Sequence, residues 1–536
     1  MKRTFLLSAS AAALLAASPA LAQNNTSTVD QTGTNATATV SQGGSDSNSD
    51  IDQDGDLNKA TVNQDGSIAG GKSTIAQTGD RNEATVTQSD DGTDLINAAP
   101  PINTSTVTQG GSDNKATVTQ NTATLALGTV STVTQGGNFN EATVTQVDDS
   151  QDSSISQSSD NNKATVSQGD LALVATDQSW GNDSIVNQGG LGQHTATITQ
   201  GGRTSISNVL QAGEDNDATV DQTGSTQNSY VDQSGSFNIA DVEQAGFLNG
   251  SQVFQTGTNG IVDVTQGGNN LTSSVSQSAD NNDAIVNQSG STSSSTITQS
   301  ANNNAARVTQ NGSGNSSSVT QDSGSGFLGY SGTELGEAVL NSPNFFGYAV
   351  VQQDGDNLSS SISSTGLSGF AFVEQVGASN SSSIAQTGNS NAAFVEQAGS
   401  GNSSEWSQSG YLTNVTSSET PNAGDNNIQL ARGVHQTGNG NKSLIAQSGN
   451  ASSFSAALNG RNSVNVLQTG DDNESEIDQG GLDNRADLTQ SGADNDSFIT
   501  QSGTNNTATV TQSSNGNWSS VNQTGSNSTA TVTQGM

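Results

Sequence analysis

The chain has 536 residues, of which only 29% are hydrophobic, with 61 glycines, no cysteine and a formal charge of -37. An acidic surface of this strength argues against nucleic acid and anionic membrane as partners. Without cysteine, disulfide stapling is excluded in any compartment, and composition taken alone would place the chain among disordered proteins.

The order of the residues says otherwise. Lys2 and Arg3 precede an apolar run from Phe5 to Leu15, and Ala20-Leu21-Ala22 offers a small-x-small cleavage site. Residues 1–22 therefore read as a secretory signal peptide, which makes the mature chain an exported one. The apolar run is too short to remain as a membrane span, and no later segment resembles one, so no integral membrane segment is expected.

From there glutamine recurs on a fixed frame. It falls at Gln31, Gln42, Gln53 and Gln64, then at Gln77 and Gln88, Gln109 and Gln120, Gln135 and Gln146, and Gln157 and Gln168. A long regular block runs from Gln200 to Gln321, and the chain closes on Gln479, Gln490, Gln501, Gln512, Gln523 and Gln534, each 11 residues after the last. About 40 glutamines hold the position, a self-similarity that makes residues 23–536 one continuous repeat object rather than several domains. Before each glutamine stand Asn, a small residue and an apolar residue at spacings of two, as in Asn506, Ala508, Val510 and Gln512. The same asparagine recurs at Asn58, Asn82, Asn114, Asn140, Asn484, Asn495 and Asn517. Marked positions two apart make a strand with one defined face. The residues that follow make a turn, with glycine two past the glutamine at Gly55, Gly79, Gly111, Gly137, Gly492, Gly503 and Gly525. A tight reversal there calls for positive φ.

The small residue alternates between Ser and Ala: Ser49, Ala60, Ser73, Ala84, Ser105, Ala116, and at the end Ser497, Ala508, Ser519, Ala530. Two unlike strands make one coil of about 22 residues, the unit of a stacked solenoid. The expected fold is thus all-β: a two-sheet, cross-β β-solenoid of about 20 strand-turn-strand rungs, on the order of 95 Å long. The frame is interrupted near 89–102, 121–128, 322–346 and 409–430, and these stretches hold all the prolines beyond residue 22: Pro100, Pro101, Pro343 and Pro421. A proline cannot donate to a ladder, so loops extruded from a rung are the place for it.

The constrained positions should face the interior, where Ala, Ser and Val suit sheets about 10 Å apart better than Phe or Leu. Buried Asn and Gln would be unfavourable alone, but stacked one rung apart they can form continuous amide ladders. The frame begins at Thr28-Val29-Asp30-Gln31 and ends at Ala530-Thr531-Val532-Thr533-Gln534, so the rod is expected to be uncapped at both ends. Open complementary ends stack without closing, and such contacts make filaments.

Ser73 to Gln77-Thr78-Gly79 followed by Asn82-Glu83-Ala84-Thr85-Val86-Thr87-Gln88, and Gln109-Gly110-Gly111 leading to Asn114-Lys115-Ala116 and Gln120, resemble the curlin repeat of curli amyloid subunits. The resemblance covers nearly all of the chain after the signal peptide. It implies a secreted subunit that crosses the periplasm and polymerises head to tail outside the cell into an amyloid fibre for adhesion, surface colonisation and biofilm matrix. It also implies a nucleator subunit and an outer-membrane curli-type secretion channel as partners. The Gln and Asn positions named above would form the amyloid-core ladder, those of the terminal rungs mattering most for templating. The chain departs from the family in having many more rungs and no separate leader before the first.

Other readings are weaker. Outward Thr-x-Thr pairs such as Thr85 and Thr87, Thr117 and Thr119, and Thr143 and Thr145 would suit an ice-binding solenoid, but Asp241, Glu243, Arg307, Phe394 and Glu396 break the array. Threonine is also simply a good exposed strand residue. Asp54-Gly55-Asp56 lacks the nonapeptide frame of calcium-binding repeats, which leaves solvated turn acids. No cofactor motif is present and no enzyme is expected. His194 and His435 are the only histidines, and His194 holds a rung position that is otherwise asparagine.

Overall fold

A computed structural model describes residues 24–43, 45–66, 71–90, 103–122, 128–147, 150–169, 181–322, 347–365, 369–389, 391–411, 433–449 and 462–535. The expected signal peptide, all four of the later prolines and most of the four expected loops lie outside them. Among the described residues there are forty strands, from β1 (Thr26–Gln31) and β2 (Thr37–Gln42) to β39 (Trp518–Gln523) and β40 (Thr529–Gln534). Odd-numbered strands pair only with odd, even only with even, always parallel. The result is two sheets of twenty strands facing each other, the β-solenoid that the frame implies.

Register follows residue identity. Val510 lies over Val532, Ala508 over Ala530 and Gln512 over Gln534. The register survives unequal spacing: Gln77 pairs with Gln109, Gln310 with Gln353 and Gln397 with Gln436. Strands extend into the first residues of three expected loops, since β6 is Glu83–Asp90, β8 is Lys115–Thr122 and β31 is Ser403–Tyr411. A polar tail after the glutamine can continue a ladder wherever the neighbouring rung supplies a partner.

Each strand alternates outward and inward residues, so the buried set is Ser or Ala, Val or Ile, and Gln. Ile51, Val62, Ile75, Val86, Val107 and Val118 are all fully buried. At about 1.5–3 kcal/mol for each buried Val or Ile, this single column on each sheet is the apolar driving force of the rod. Trp406 is the exception in size: it is fully buried in a Val position, its Nε1 donating to Gln447 Oε1 at 3.0 Å.

The turns differ from the sequence expectation in one respect. Gly55, Gly492 and Gly503 do adopt positive φ, at 124°, 111° and 115°. In the turns of Gly79, Gly111 and Gly137 it is Arg81, Asp113 and Phe139 that do so, at 55°, 59° and 57°. A left-handed conformation is unfavourable by roughly 1–2 kcal/mol for an L-residue, and here a hydrogen bond to the rung below offsets it, as Phe139 N donates to Ser112 O at 3.0 Å. Glycine is needed at these sites for closeness instead. A Cβ at Gly79 would overlap the Gly111 carbonyl, and one at Gly111 the Gly137 carbonyl.

Candidate functional site

The frame lines up two glutamine ladders, one in each sheet. In the even sheet Gln42 Nε2 donates to Gln64 Oε1 at 3.0 Å, Gln64 to Gln88 at 2.9 Å, Gln88 to Gln120 at 2.8 Å and Gln120 to Gln146 at 2.9 Å. That ladder continues to Gln490, Gln512 and Gln534, each step 2.9 Å. In the odd sheet Gln31 donates to Gln53 at 2.5 Å, Gln53 to Gln77 and Gln77 to Gln109 at 2.7 Å, and near the other end Gln479 to Gln501 and Gln501 to Gln523 at 2.8 Å. In most of these amides the second N–H turns to a backbone carbonyl, for example Gln146 Nε2 to Val130 O at 2.8 Å. Every bond points the same way, so the acceptor ends, Gln31 and Gln42, and the donor ends, Gln523 and Gln534, lie at opposite ends of the rod.

The asparagines behave differently from simple amide-on-amide ladders. In the first rungs Asn58, Asn82 and Asn114 accept through Oδ1 from the backbone N–H of Asn82, Asn114 and Asn140 at 2.9–3.0 Å. Their Nδ2 groups donate to the turn carbonyls of Gly79, Gly111 and Gly137 at 2.6–2.7 Å. In the last rungs amide does meet amide: Asn506 Nδ2 donates to Asn484 Oδ1 at 3.0 Å and Asn517 Nδ2 to Asn495 Oδ1 at 2.9 Å. Asparagine thus ties strand to turn as well as rung to rung, since Asn506 Nδ2 also donates to the turn carbonyl of Gly525 at 2.8 Å.

His194 fits this scheme. It is fully buried, its backbone N–H donates to Asn162 Oδ1 at 3.0 Å, and its ring replaces both ends of an asparagine amide. Nδ1 accepts the backbone N–H of Asn216 at 3.2 Å, which leaves Nε2 as the donor to Gly189 O at 2.7 Å. That arrangement requires the neutral ring, and burial pushes its pKa below the usual value, against the pull of the Gly189 carbonyl and Asp215.

The serine column is less satisfied. All twenty odd strands carry Ser four residues before the ladder position. Ser273 and Ser519 reach the hydroxyls of Ser251 and Ser497 at 3.2 and 3.0 Å. Ser49, Ser73, Ser229 and Ser295 among others are buried with no hydrogen bond at Oγ. At a rung spacing of about 4.8 Å two hydroxyls meet only when their rotamers turn toward each other, as they do at Ser273 and Ser519.

The outward face is not uniform. Lys59 pairs with Glu83 at 2.7 Å and Lys115 with Glu141 at 3.5 Å beside the threonine array. Farther along, Asp217, Asp221, Asp241 and Asp263 stack with like charges and are pushed above the carboxylate range, first by burial and then by one another and by Asp215 and Glu243. Beyond them Tyr348, Phe370 and Phe394 stack at 5.4 and 5.1 Å. Period-two reading missed this aromatic column, although the outward residues of neighbouring rungs carry the signal.

The ends are the remaining feature. The interior strand β3 (Asn48–Gln53) alternates exposed and buried, whereas β1 is exposed almost throughout and β2 and β40 bury no residue fully. Ala38, Val40, Ala530 and Val532 are core residues covered on one side only. Among the described residues no group of His, Asp and Glu is placed to hold a metal ion, and no helix is long and apolar enough to cross a membrane.

Six stretches match the curlin associated repeat: residues 213–246, 292–322, 369–399, 377–410, 461–492 and 503–535. The last of these ends on the final rung, where β39 still buries its inward residues and β40 does not. Comparison with curated proteins finds no match.

Proposed function

Because the chain belongs to the curlin-repeat proteins, we propose that it is the structural subunit of an extracellular curli-like amyloid fibre, growing head to tail. The observation that carries this reading is the match between its two ends. β40 reads TATVTQ and β2 reads TATVSQ, while β39 reads WSSVNQ and β1 reads TSTVDQ. Stacking the first rung of one copy on the last rung of another sets Ala38 against Ala530, Val40 against Val532 and Ser27 against Ser519. It also carries both amide ladders across the junction, donors of Gln523 and Gln534 meeting Gln31 and Gln42. Such a contact is heterologous and does not close, so it propagates.

Adhesion, surface colonisation and biofilm matrix are the roles such a fibre serves. A nucleator subunit and an outer-membrane curli-type channel, reached through the periplasm after cleavage of residues 1–22, are its partners. Outward threonines on the first rungs remain compatible with ordinary exposed strand. The chain from residue 23, freshly diluted from denaturant, should form detergent-resistant fibres with a meridional reflection at about 4.7–4.8 Å. A compact domain fused after Met536 should slow elongation. A chain that stays monomeric and folded for days at high concentration would overturn the reading.

A further inference from the structure

The odd glutamine ladder breaks once among the described residues. Gln299 Nε2 donates to Gln321 Oε1 at 2.9 Å, and Gln386 Nε2 donates to Gln408 Oε1 at 2.9 Å. Between Gln321 and Gln386 the ladder position is Ser364, the last residue of β27 (Ser359–Ser364), paired in register with both. Serine lacks the carboxamide that would bridge them. The even ladder is intact at the same level, where Gln310 donates to Gln353 and Gln353 to Gln375 at 2.8 and 2.9 Å.

Three consequences meet at this corner. Gln386 Oε1 is buried with no hydrogen-bond partner, and so is Ser364 Oγ. Gln321 Nε2 makes its backbone bond, to Ala305 O at 3.1 Å, but has no ladder partner for its second N–H. The asparagine positions beside the break are also stripped: Gly347 and Gly369 stand where the repeat has Asn, and Asn304 Oδ1, which lies against Gly347, is buried and unpaired as well. A position added at Gly369 as Cβ would sit 2.5 Å from Ser364 Oγ and 2.8 Å from Gln386 Oε1, so the backbone at the rim of the corner closes on both polar atoms.

We propose that the space left at Ser364 is a binding site for structural water, a short hydrogen-bonded chain that replaces the missing glutamine rung. The chemistry selects water over an ion. One wall is a donor, the free N–H of Gln321, and the opposite wall is an acceptor, Oε1 of Gln386, with a hydroxyl between them. A cation would face the Gln321 N–H and an anion the Gln386 oxygen, whereas water accepts from the first and donates to the second. A buried water typically makes about three hydrogen bonds, and the missing carboxamide is larger than the roughly 30 Å3 that a water occupies in the liquid. With water in place each orphaned group gains the partner it lacks, which is the usual fate of buried polar atoms. The inference rests on the fold alone and holds whether or not the chain assembles into fibres.

The test is water-to-carboxamide magnetisation transfer in the folded full chain labelled with 15N-glutamine. Gln299, Gln321, Gln386 and Gln408 are equally buried, each exposed by 1% or less. Transfer to Gln321 and Gln386 should nevertheless build up severalfold faster than to Gln299 and Gln408. Ser364→Gln should complete the ladder and bring both down to the level of the other two, while Ser364→Ala, which keeps the space and both walls, should retain the fast build-up. Equal rates for all four residues in the unsubstituted chain would overturn the proposal, as would fast transfer persisting in Ser364→Gln.

Discussion

Acidification should loosen the rod first at His194. Its Nδ1 accepts the Asn216 N–H and its Nε2 donates to Gly189 O, so a proton added at Nδ1 sets two donors against each other in a fully buried place. The folded pKa lies below the ordinary 6.5, because burial disfavours the charged ring more than Gly189 and Asp215 favour it. Between the folded value and 6.5 the unfolded segment binds more protons than the folded one. The stability contributed by the neutral ring is therefore complete above about 6.5, falls as pH drops through the window, and stops falling below the folded pKa. The slope can reach about 1.4 kcal/mol per pH unit, and the bond at stake suggests a total of about 1–3 kcal/mol.

A whole-chain unfolding midpoint is the wrong readout, since a long stacked array does not unfold as one unit. Nearby carboxylates also titrate with the opposite sign: the raised Asp217, like Asp221 and Asp241, favours the folded state when protonated. Amide exchange at Asn216, corrected for its intrinsic pH dependence, isolates the rung. Its protection should fall about tenfold or more between pH 7.5 and 5, and His194→Asn should abolish that fall while keeping protection at pH 7.5. Identical pH profiles for the two chains would refute the reasoning.

Four further outcomes follow from the same geometry. Gln266→Ala removes bonds to Gln244 and Gln288 and should destabilise its rung by about 4 kcal/mol, combining two orphaned amide groups with a cavity, read as exchange at the neighbouring rungs. Ser295→Ala deletes a buried hydroxyl without a partner and should leave stability unchanged or raise it by up to about 1 kcal/mol in urea titration. Gly79→Ala should disrupt its turn, whereas Gly525→Ala, whose added carbon meets nothing nearer than Ser528 Oγ at 3.8 Å, should leave the monomer intact and slow elongation in seeded growth, because Gly525 faces the incoming copy. Asp283, pushed up from 3.8 to about 7 by burial and then by Asp263, makes the fold lose stability as pH rises from the ordinary carboxylate value to about 7 and no further above it, so Asp283→Asn should raise stability most at pH 8, less at pH 5 and little at about pH 3.

What the sequence reveals here and what it hides have one physical cause. A period-two strand with a fixed inward set prints its register into residue identity, because a shift by one residue would turn every valine outward. Glutamine over glutamine and Ser or Ala over its like are for that reason legible without coordinates. The inward positions that break the rule are just as legible in principle: counting 22 back from Gln386 lands on Ser364, and the gap in the ladder is there to be read. What identity cannot convey is the direction in which a side chain spends its hydrogen bonds. Both Asn and Gln carry a donor and an acceptor, yet glutamine meets its counterpart from the first rungs to the last, whereas asparagine amides meet only in later rungs such as those of Asn506 and Asn517. Asn58 and Asn82 turn to the glycine carbonyls instead, and the glycines of those turns are held by backbone closeness rather than by φ. The outward face is the least legible part, since no inward constraint disciplines it. Asp283, Val350 and Phe372 occupy outward positions and are nonetheless buried, so alternation alone assigns them to solvent where the folded chain does not.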